Sequence, residues 1–202
     1  MSGEHYWCGN GCGMCFTAPK PDGTMIHPST KHRIDLMDFV QVNRFHELSR
    51  RDERYLKMCI DESVRFSTCI RRQYYAILLD RFGHIIGTGY NGVPSGMTHC
   101  NQGGCPRGQS DVPHGSDYAG NCWAAHAEAN ALLHSDYTER RDGCTLYVNG
   151  PPCWGCAVLI ANGSVSRLVC LENADYADWP DICDFLRKAR VDVTVVALGD
   201  TV

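Results

Sequence analysis

Residues 123–171 read WAAHAEANALLHSDYTERRDGCTLYVNGPPCWGCAVLIANGSVSRLVCL, and this stretch decides the fold. Its apolar pattern predicts a helix at 123–135, a strand at 144–149, a helix at 153–162 that ends at Gly163, and a strand at 167–171. Helices that alternate with strands indicate a sheet whose faces are covered by helices. The chain is therefore expected to have an α/β fold.

The flanking sequence continues this alternation. Upstream, the pattern predicts a helix at 52–70 behind an Asp52 cap, followed by strands at 75–79 and 85–90. Downstream, it predicts a helix near 178–190 and a strand at 191–197.

Three segments depart from this alternation. Residues 1–30 are rich in Gly, Pro and Cys and predict an irregular extension, and residues 31–48 could form a helix. Residues 91–121 predict a loop whose length is unusual unless the loop is functional or is held by something other than a core. We expect a Cys/His-containing extension at 1–48 and the main domain at 49–202.

The composition narrows the class of protein. The 202-residue chain carries a formal net charge of -4, so no global positive field attracts nucleic acid. No apolar run approaches the roughly 20 residues that a membrane span needs, and no export signal is visible. We expect a cytoplasmic protein with a small anionic partner. Its 13 Cys and 9 His residues suggest zinc rather than a disulfide framework.

Two motifs predict a catalytic zinc site. Cys153 and Cys156 are three residues apart at a predicted helix start, where both thiols would share one face and the helix dipole favours thiolates. His126 supplies a third ligand from another helix. Three protein ligands leave the fourth tetrahedral position open for water, which is typical of catalytic rather than structural zinc.

Glu128 is the predicted catalytic residue. Zinc activates a water molecule, and attack at C4 of a cytosine ring also requires protons at N3 and at the leaving amine. Glu128 lies two residues from a ligand and could transfer those protons. Each motif also has a simpler interpretation. The two cysteines could be a redox pair or half of a structural zinc site, and the histidine could be an ordinary core or surface residue. Their combination favours a deaminase.

At these residues the sequence resembles the deoxycytidylate (dCMP) deaminase family, over roughly residues 52–197. The motifs HAEANA at 126–131 and PCWGC at 152–156 occur across the cytidine deaminase superfamily. The motifs GYNGVPSG at 89–96 and STCIR at 67–71 are more specific, and the Cys/His-bearing insertion resembles phage and bacterial members. The resemblance implies a three-layer α/β/α sandwich around a mixed five-stranded sheet.

The resemblance also implies substrate contacts. It assigns Asn91 to the sugar, Arg71 to the phosphate with Arg72 next, and Tyr176 to the mouth of the pocket. An amide suits a 3′-hydroxyl because it both donates and accepts hydrogen bonds. Asn91 could instead make a turn with Gly92, and Tyr176 could be an ordinary surface residue.

Two departures from the family pattern leave the base and sugar specificity open. Tyr74-Tyr75-Ala76 replaces the usual Val-Gly-Ala, and Tyr75 is expected to crowd the pocket or a subunit contact. Gly150-Pro151 replaces the usual Thr/Ser-containing lead into the Pro-Cys motif.

A second zinc is expected beside the long loop. Related phage and bacterial deaminases carry a structural zinc here, and the expected ligands are Cys69, Cys100, Cys105 and Cys122, with His99 as the alternate. A closed four-ligand site could order a loop that has few apolar residues. Free thiols that pack as small apolar groups are the alternative.

The N-terminal extension holds a further cluster of three thiols. Cys8, Cys12 and Cys15 have a spacing that also occurs in iron–sulfur sites, but a zinc knuckle completed by His5, His27 or His32 is favoured. Unliganded thiols are the alternative.

The predicted function is hydrolytic deamination of dCMP to dUMP and ammonia. Alternatives are a deaminase of a modified nucleotide such as 5-methyl-dCMP, which Tyr75 favours, a tRNA or polynucleotide deaminase, and a zinc scaffold without activity. The family resemblance further implies a homo-oligomer, which is a hexamer in many members, with dCTP and dTTP as effectors. A phage origin is compatible with the sequence.

Overall fold

The structure is a computed structural model, and it describes residues 6–7, 14–15, 48–110, 122–136, 138, 143–173 and 176–196. Side chains are described from residue 48 onward. The strands are β1 (Tyr6–Trp7), β2 (Met14–Cys15), β3 (Tyr75–Leu79), β4 (Ile85–Tyr90), β5 (Cys144–Val148), β6 (Val165–Leu171) and β7 (Asp192–Val196). The α-helices are α1 (Arg50–Phe66), α2 (Ala127–Leu133), α3 (Trp154–Asn162) and α4 (Trp179–Lys188), with a 3-10 helix at Cys100–Gln102.

Five strands form one mixed sheet in the order β4-β3-β5-β6-β7. β3 pairs antiparallel with both β4 and β5, whereas β5, β6 and β7 run parallel to one another. The parallel pairs are connected through α3 and α4, as parallel strands require a crossover. The carboxyl ends of β4, β5 and β6 therefore lie at the same edge of the sheet as the amino end of β3.

The two faces of the sheet have separate hydrophobic cores. Alternate residues of one strand point to opposite faces, so Ile77 packs toward α1 whereas Leu78 packs toward the other helices. Among the described helices, α1 covers one face, and α2, α3 and α4 cover the other. The predicted three-layer α/β/α sandwich with a mixed five-stranded sheet is confirmed.

The first helix is shifted from its predicted bounds of 52–70. It begins at Arg50 because Ser49, rather than Asp52, is the N-cap and accepts a hydrogen bond from the Asp52 backbone N–H. It ends at Phe66 because Ser67 is extended and its hydroxyl donates to Asn91. Cys69 therefore lies beyond the helix, in the segment that leads to β3.

The helix that carries the HAE motif is shorter than predicted. It begins at Ala127 instead of residue 123, because Ala125 pairs with Gly92 in an isolated antiparallel bridge. The two backbone hydrogen bonds of this bridge measure 3.1 and 2.9 Å and keep the chain extended as far as His126, the N-cap residue.

The structure describes only residues 6–7 and 14–15 of the N-terminal segment before Leu48, so it tests few of the predictions for that segment. β1 and β2 form a two-stranded antiparallel sheet inside the segment predicted to be irregular. The predicted helix at 31–48 and the predicted loop residues 111–121 lie outside the described residues, except for Leu48. None of the helices in the described ranges combines the length and apolarity that crossing a membrane requires.

A buried carboxylate joins three elements at the edge of the sheet opposite the carboxyl ends of β5 and β6. Asp52 is 4% exposed and accepts hydrogen bonds from Tyr147 Oη at 2.7 Å and from Arg167 Nη1 and Nη2 at 2.8 and 3.1 Å. Ser49 Oγ donates to the same carboxylate at 2.8 Å. Burial acts to raise the pKa of Asp52, but the hydrogen bonds from Arg167, Tyr147 and Ser49 outweigh it and lower the pKa.

Candidate active site

A cavity of about 320 Å³ lies at the edge of the sheet where β4 and β5 end and β3 begins. This is the edge at which open α/β sheets commonly bind ligands. Its lining residues come mainly from the loops that follow these strands and from the start of α2: Cys69, Arg71, Arg72, Tyr74, Asn91, Cys100, Cys105, Arg107, Gly108, Cys122, Ala124, His126, Glu128, Pro151, Cys153 and Tyr176.

Three of the predicted metal ligands meet at the border of this cavity, and two of them, His126 and Cys153, line it. His126 Nδ1 lies 3.4 Å from Cys153 Sγ and 3.4 Å from Cys156 Sγ, and the three donor atoms are all within 4.8 Å of one another. Cys153 is the N-cap of α3 and Cys156 lies three residues further on, in the first turn. The prediction of both cysteines at a helix start is correct, although only Cys156 is helical.

The spacing of these atoms fits a tetrahedral zinc ion. Zinc binds sulfur at about 2.3 Å and nitrogen at about 2.0–2.1 Å, so two such ligands at a tetrahedral angle lie roughly 3.6 Å apart. The two observed nitrogen–sulfur distances are close to this value. A His/Cys/Cys donor set also leaves one tetrahedral position without a protein ligand.

The thiolate of Cys153 favours a bound cation, and His126 would release its proton to bind one. Hydrogen bonds from Cys156 and then His126 lower the pKa of Cys153, although burial opposes this effect. The hydrogen bond to Cys153 is in turn the main cause that raises the pKa of His126. A thiolate at the N-terminus of α3 is further stabilised by the helix dipole.

Glu128 lies beside this donor set. It is 5% exposed, lies in the first turn of α2, and makes a side-chain hydrogen bond to Cys156. Burial raises the pKa of Glu128, while the charge of His126 opposes the rise. A buried carboxyl that borders the cavity is suited to hold and transfer a proton.

Sequence comparison identifies the family. The profile described as "Cytidine and deoxycytidylate deaminase zinc-binding region" matches residues 49–172, more than half of the chain. The chain belongs to this family. It is therefore a zinc-binding deaminase domain, and the His/Cys/Cys donor set could hold the metal.

Several deaminases of this family are similar in sequence. The deoxycytidylate deaminase of Mycobacterium phage D29 is 44% identical over 125 residues, which cover 58% of this chain and 91% of the phage protein. The deoxycytidylate deaminase of Schizosaccharomyces pombe is 34% identical over 137 residues, which cover 68% of this chain but only 41% of the yeast protein. The chain thus spans nearly all of the phage relative and less than half of the yeast one.

A solved deaminase has the same fold. The dCMP deaminase from the cyanophage S-TIM5, in complex with dCMP and dUMP, superposes with a TM-score of 0.50 at 24% identity. The superposition covers 71% of this chain and 95% of the cyanophage chain. At this identity the similarity supports the fold of the deaminase domain.

Arginines line the same cavity as the donor set. Arg71, Arg72 and Arg107 all contribute to its wall. Arg71 Nη1 donates to the backbone carbonyls of Arg107 at 3.1 Å and Ser110 at 3.2 Å, so it also holds the following loop. Burial lowers the pKa of Arg72, and Tyr74 and Tyr176 oppose this shift. The cavity therefore has a cationic region in a net acidic chain.

Asn91 supports the backbone as well as lining the cavity. Its Oδ1 accepts hydrogen bonds from Ser67 Oγ at 2.5 Å and from the Tyr74 N–H at 2.8 Å. Its Nδ2 donates to the Arg72 carbonyl at 2.7 Å. Asn91 thus joins the end of β4 to the segment before β3. It does not make the alternative turn with Gly92, because Gly92 pairs with Ala125 in an antiparallel bridge.

The adjacent tyrosines of the unusual Tyr-Tyr-Ala triplet have different positions. Tyr74 lines the cavity, together with the predicted pocket residue Tyr176. Tyr75 does not belong to the cavity wall, because its ring packs 5.8 Å from Phe66 on the α1 side of the sheet. Of the two expectations for Tyr75, crowding of the pocket is wrong, since adjacent residues of an extended chain point to opposite faces. A subunit contact of Tyr75 stays a prediction. Tyr74, and not Tyr75, is the residue of this triplet that borders the cavity, and the sequence did not single it out.

The four predicted ligands of the structural zinc lie along one cavity, but their sulfur atoms do not form a compact group. Cys69, Cys100, Cys105 and Cys122 all line the cavity, and Cys100 makes side-chain hydrogen bonds to Cys69 and Cys105. Among the described residues, however, no three of these four sulfur atoms lie within 4.8 Å of one another. The alternate ligand His99 has a buried Nδ1 without a hydrogen-bond partner in the described ranges.

The side chains of Cys8, Cys12 and Cys15 lie outside the part of the chain whose side chains are described. Sequence reasoning also missed Asn149, a fully buried residue directly after β5. Its Oδ1 accepts from the Tyr75 N–H at 2.8 Å and its Nδ2 donates to the Gln73 carbonyl at 3.0 Å. No local motif indicates this role, because it depends on the neighbouring strand.

Proposed function

We propose that the chain is a hydrolase that converts dCMP and water to dUMP and ammonia. The observation that carries this proposal is one cavity that borders the His126/Cys153/Cys156 donor set through His126 and Cys153, and that is also lined by Glu128 and a cationic region. Its volume of about 320 Å³ lies in the range of small-ligand sites. The relatives named deoxycytidylate deaminase support the same substrate.

The reacting end of the cavity contains His126, Cys153 and Cys156 as the zinc ligands. When bound, zinc activates a water molecule for attack on the ring carbon that carries the amino group. Glu128 would accept a proton from that water and donate it to the ring nitrogen N3. It would then accept the proton of the hydroxyl group added at the ring carbon and donate it to the departing amine as the C–N bond breaks. Its burial beside Cys156 restricts the carboxyl to the neighbourhood of the reacting atoms.

The cationic region accounts for a phosphate on the substrate. Arg71 and Arg72 supply positive charge to a cavity in a chain of net charge -4, and guanidinium groups match the geometry of phosphate oxygens. Asn91 lines the cavity wall, where its amide can donate a hydrogen bond to a sugar hydroxyl. Tyr176 also lines the wall, and its aromatic ring would form part of the mouth of the pocket.

We further propose that a second zinc orders the loop beside the cavity. Cys69, Cys100, Cys105 and Cys122 are its ligands, with His99 as the alternate, and their shared cavity wall and thiol–thiol contacts support this. The sulfur atoms would draw together around the ion. The knuckle of Cys8, Cys12 and Cys15 stays a prediction, as does the division into an extension at 1–48 and a catalytic domain at 49–202.

The cellular setting follows from this function. We infer a cytoplasmic homo-oligomer that is regulated by dCTP and dTTP, with a hexamer as the expected assembly. A deaminase of free nucleotides acts where these small anions are dissolved. Size measurement in the presence and absence of each triphosphate tests both the assembly and the effectors.

Ammonia release from a panel of nucleotides tests the proposed reaction. The panel contains dCMP, deoxycytidine, 5-methyl-dCMP, dAMP, single-stranded DNA and tRNA, and the zinc content of the purified protein is measured in parallel. We expect dCMP to be the best substrate. Preference for 5-methyl-dCMP or for a polynucleotide would contradict the proposal, and zinc binding without ammonia release would indicate a non-enzymatic zinc protein.

A further inference from the structure

We propose that Tyr74, seated against Gly150, is a specificity-determining residue that positions Arg72 for the phosphate of a nucleoside 5′-monophosphate. The inference rests on the proposed function and adds a residue to it. By the resemblance described above, Tyr74 and Gly150 both depart from the family pattern, and the structure brings them into contact.

Two asparagines hold the segment that carries Arg72 and Tyr74. Asn91 binds the Arg72 carbonyl at 2.7 Å and the Tyr74 N–H at 2.8 Å. Asn149 binds the Gln73 carbonyl at 3.0 Å and the Tyr75 N–H at 2.8 Å. Four backbone groups of residues 72–75 are thereby fixed by two buried amides, which leaves this segment little freedom to move.

Gly150 makes room for the Tyr74 ring. A Cβ atom at position 150 would lie 3.2 Å from both Cζ and Oη of Tyr74 and closer still to Cε1. These separations are too short for carbon atoms in van der Waals contact, so a larger residue would displace the ring. The two unusual residues are therefore a matched pair, in which the loss of a side chain at 150 admits a tyrosine at 74.

The Tyr74 hydroxyl acts on Arg72. The two side chains are hydrogen-bonded, and the aromatic hydroxyl of Tyr176 interacts with the same guanidinium electrostatically. Tyr74 also interacts electrostatically with Glu128, so it lies within reach of both the reacting end and the cationic region. An arginine that is held by a neighbour loses less conformational freedom when it binds a phosphate.

Steady-state kinetics with dCMP and deoxycytidine test this role, because only dCMP carries a phosphate. Tyr74→Phe removes the hydroxyl and keeps the ring, and we expect kcat/KM for dCMP to fall roughly tenfold, mainly through KM. The value for deoxycytidine should change less than about twofold. Tyr75→Phe is the matched control, since its ring lies on the other face, and it should leave both values unchanged.

A second pair of variants separates the role of Tyr74 from folding. Gly150→Ala should displace the ring and reproduce the selective loss for dCMP, with a lower Tm. The double variant Tyr74→Val with Gly150→Ala should recover the Tm but not the preference for dCMP. Recovery of the preference in the double variant would overturn the inference, because it would assign the pair to packing alone.

The outcomes also distinguish this inference from the proposed function. Equal effects of Tyr74→Phe on the nucleotide and the nucleoside, or no effect on either, would overturn the role of Tyr74 while wild-type turnover of dCMP upheld the reaction. A wild-type protein that does not turn over dCMP would overturn both.

Discussion

Replacing the buried carboxylate Asp52 with asparagine should destabilise the fold without changing the active site. Asp52→Asn keeps the shape of the side chain but removes its charge, and it puts an amide donor in place of one acceptor oxygen. Asp52 lies at the edge of the sheet opposite the cavity, and it does not belong to the cavity wall. Turnover per folded molecule should therefore stay unchanged.

The magnitude follows from the contacts of the carboxylate. Asp52 accepts two hydrogen bonds from Arg167, one from Tyr147 and one from Ser49, and an amide cannot accept all of them. Breaking a buried ion pair costs about 3–5 kcal/mol. The Arg167 side chain is 30% exposed and regains some hydration, so we expect about 3 kcal/mol, the lower end of that range. For a domain of this size that corresponds to a Tm roughly 6–12 °C lower.

Thermal unfolding as a function of pH is the decisive assay. The pKa of Asp52 is lowered in the fold, so its contribution is fully present above the unfolded value of about 3.9 and is lost as the pH falls through the folded value. The Tm difference between the wild type and Asp52→Asn should be constant near neutral pH and should shrink below about pH 4.

Asp192→Asn is the matched control for this prediction. Asp192 also faces Arg167, at 3.7 Å, but its side chain is 74% exposed, and exposed pairs contribute about 0–1 kcal/mol. The reasoning is refuted if Asp52→Asn lowers the Tm no more than Asp192→Asn does. A Tm difference that persists unchanged at pH 3 would also refute it.

Three further predictions concern the active site and the metal. Glu128→Gln should retain zinc but lose about 10²–10⁴-fold in turnover, because an amide cannot relay protons; a residual rate above about a tenth would contradict the assigned role. Arg71→Ala should lower kcat/KM about tenfold or more for dCMP and less for deoxycytidine, whereas equal losses would restrict Arg71 to holding the 107–110 loop. Unchelated protein should contain at least two zinc ions per chain by metal analysis, and Cys100→Ser should remove one of them and lower the Tm; a single zinc in the wild type contradicts the second site.

The zinc chemistry was accessible from the sequence because its signals are local. The spacing of Cys153 and Cys156 at a helix start and of Glu128 after His126 is encoded in a few adjacent residues. The donor atoms of His126, Cys153 and Cys156 do converge. The sheet strands were predictable for a similar reason. β3 and β4 have the predicted bounds, since period-two patterns and a tight turn mark strands locally.

Element boundaries depended on contacts that the sequence does not display. The helix predicted to start at residue 123 begins at Ala127, because Ala125 pairs with the distant Gly92. The first helix ends at Phe66 because Ser67 binds Asn91, a residue 24 positions away. Local propensity has no information about either partner.

The sequence by itself determined the reaction chemistry and the α/β class of this protein, because both depend on short spacings and on the periodicity of apolar residues. Only the tertiary structure decided which residues line the cavity. It placed Tyr74 in the cavity and Tyr75 against Phe66, and it set Gly150 beneath the Tyr74 ring. These assignments require the face of β3 and the position of the loop after β5, and both are fixed by packing between residues far apart in the chain.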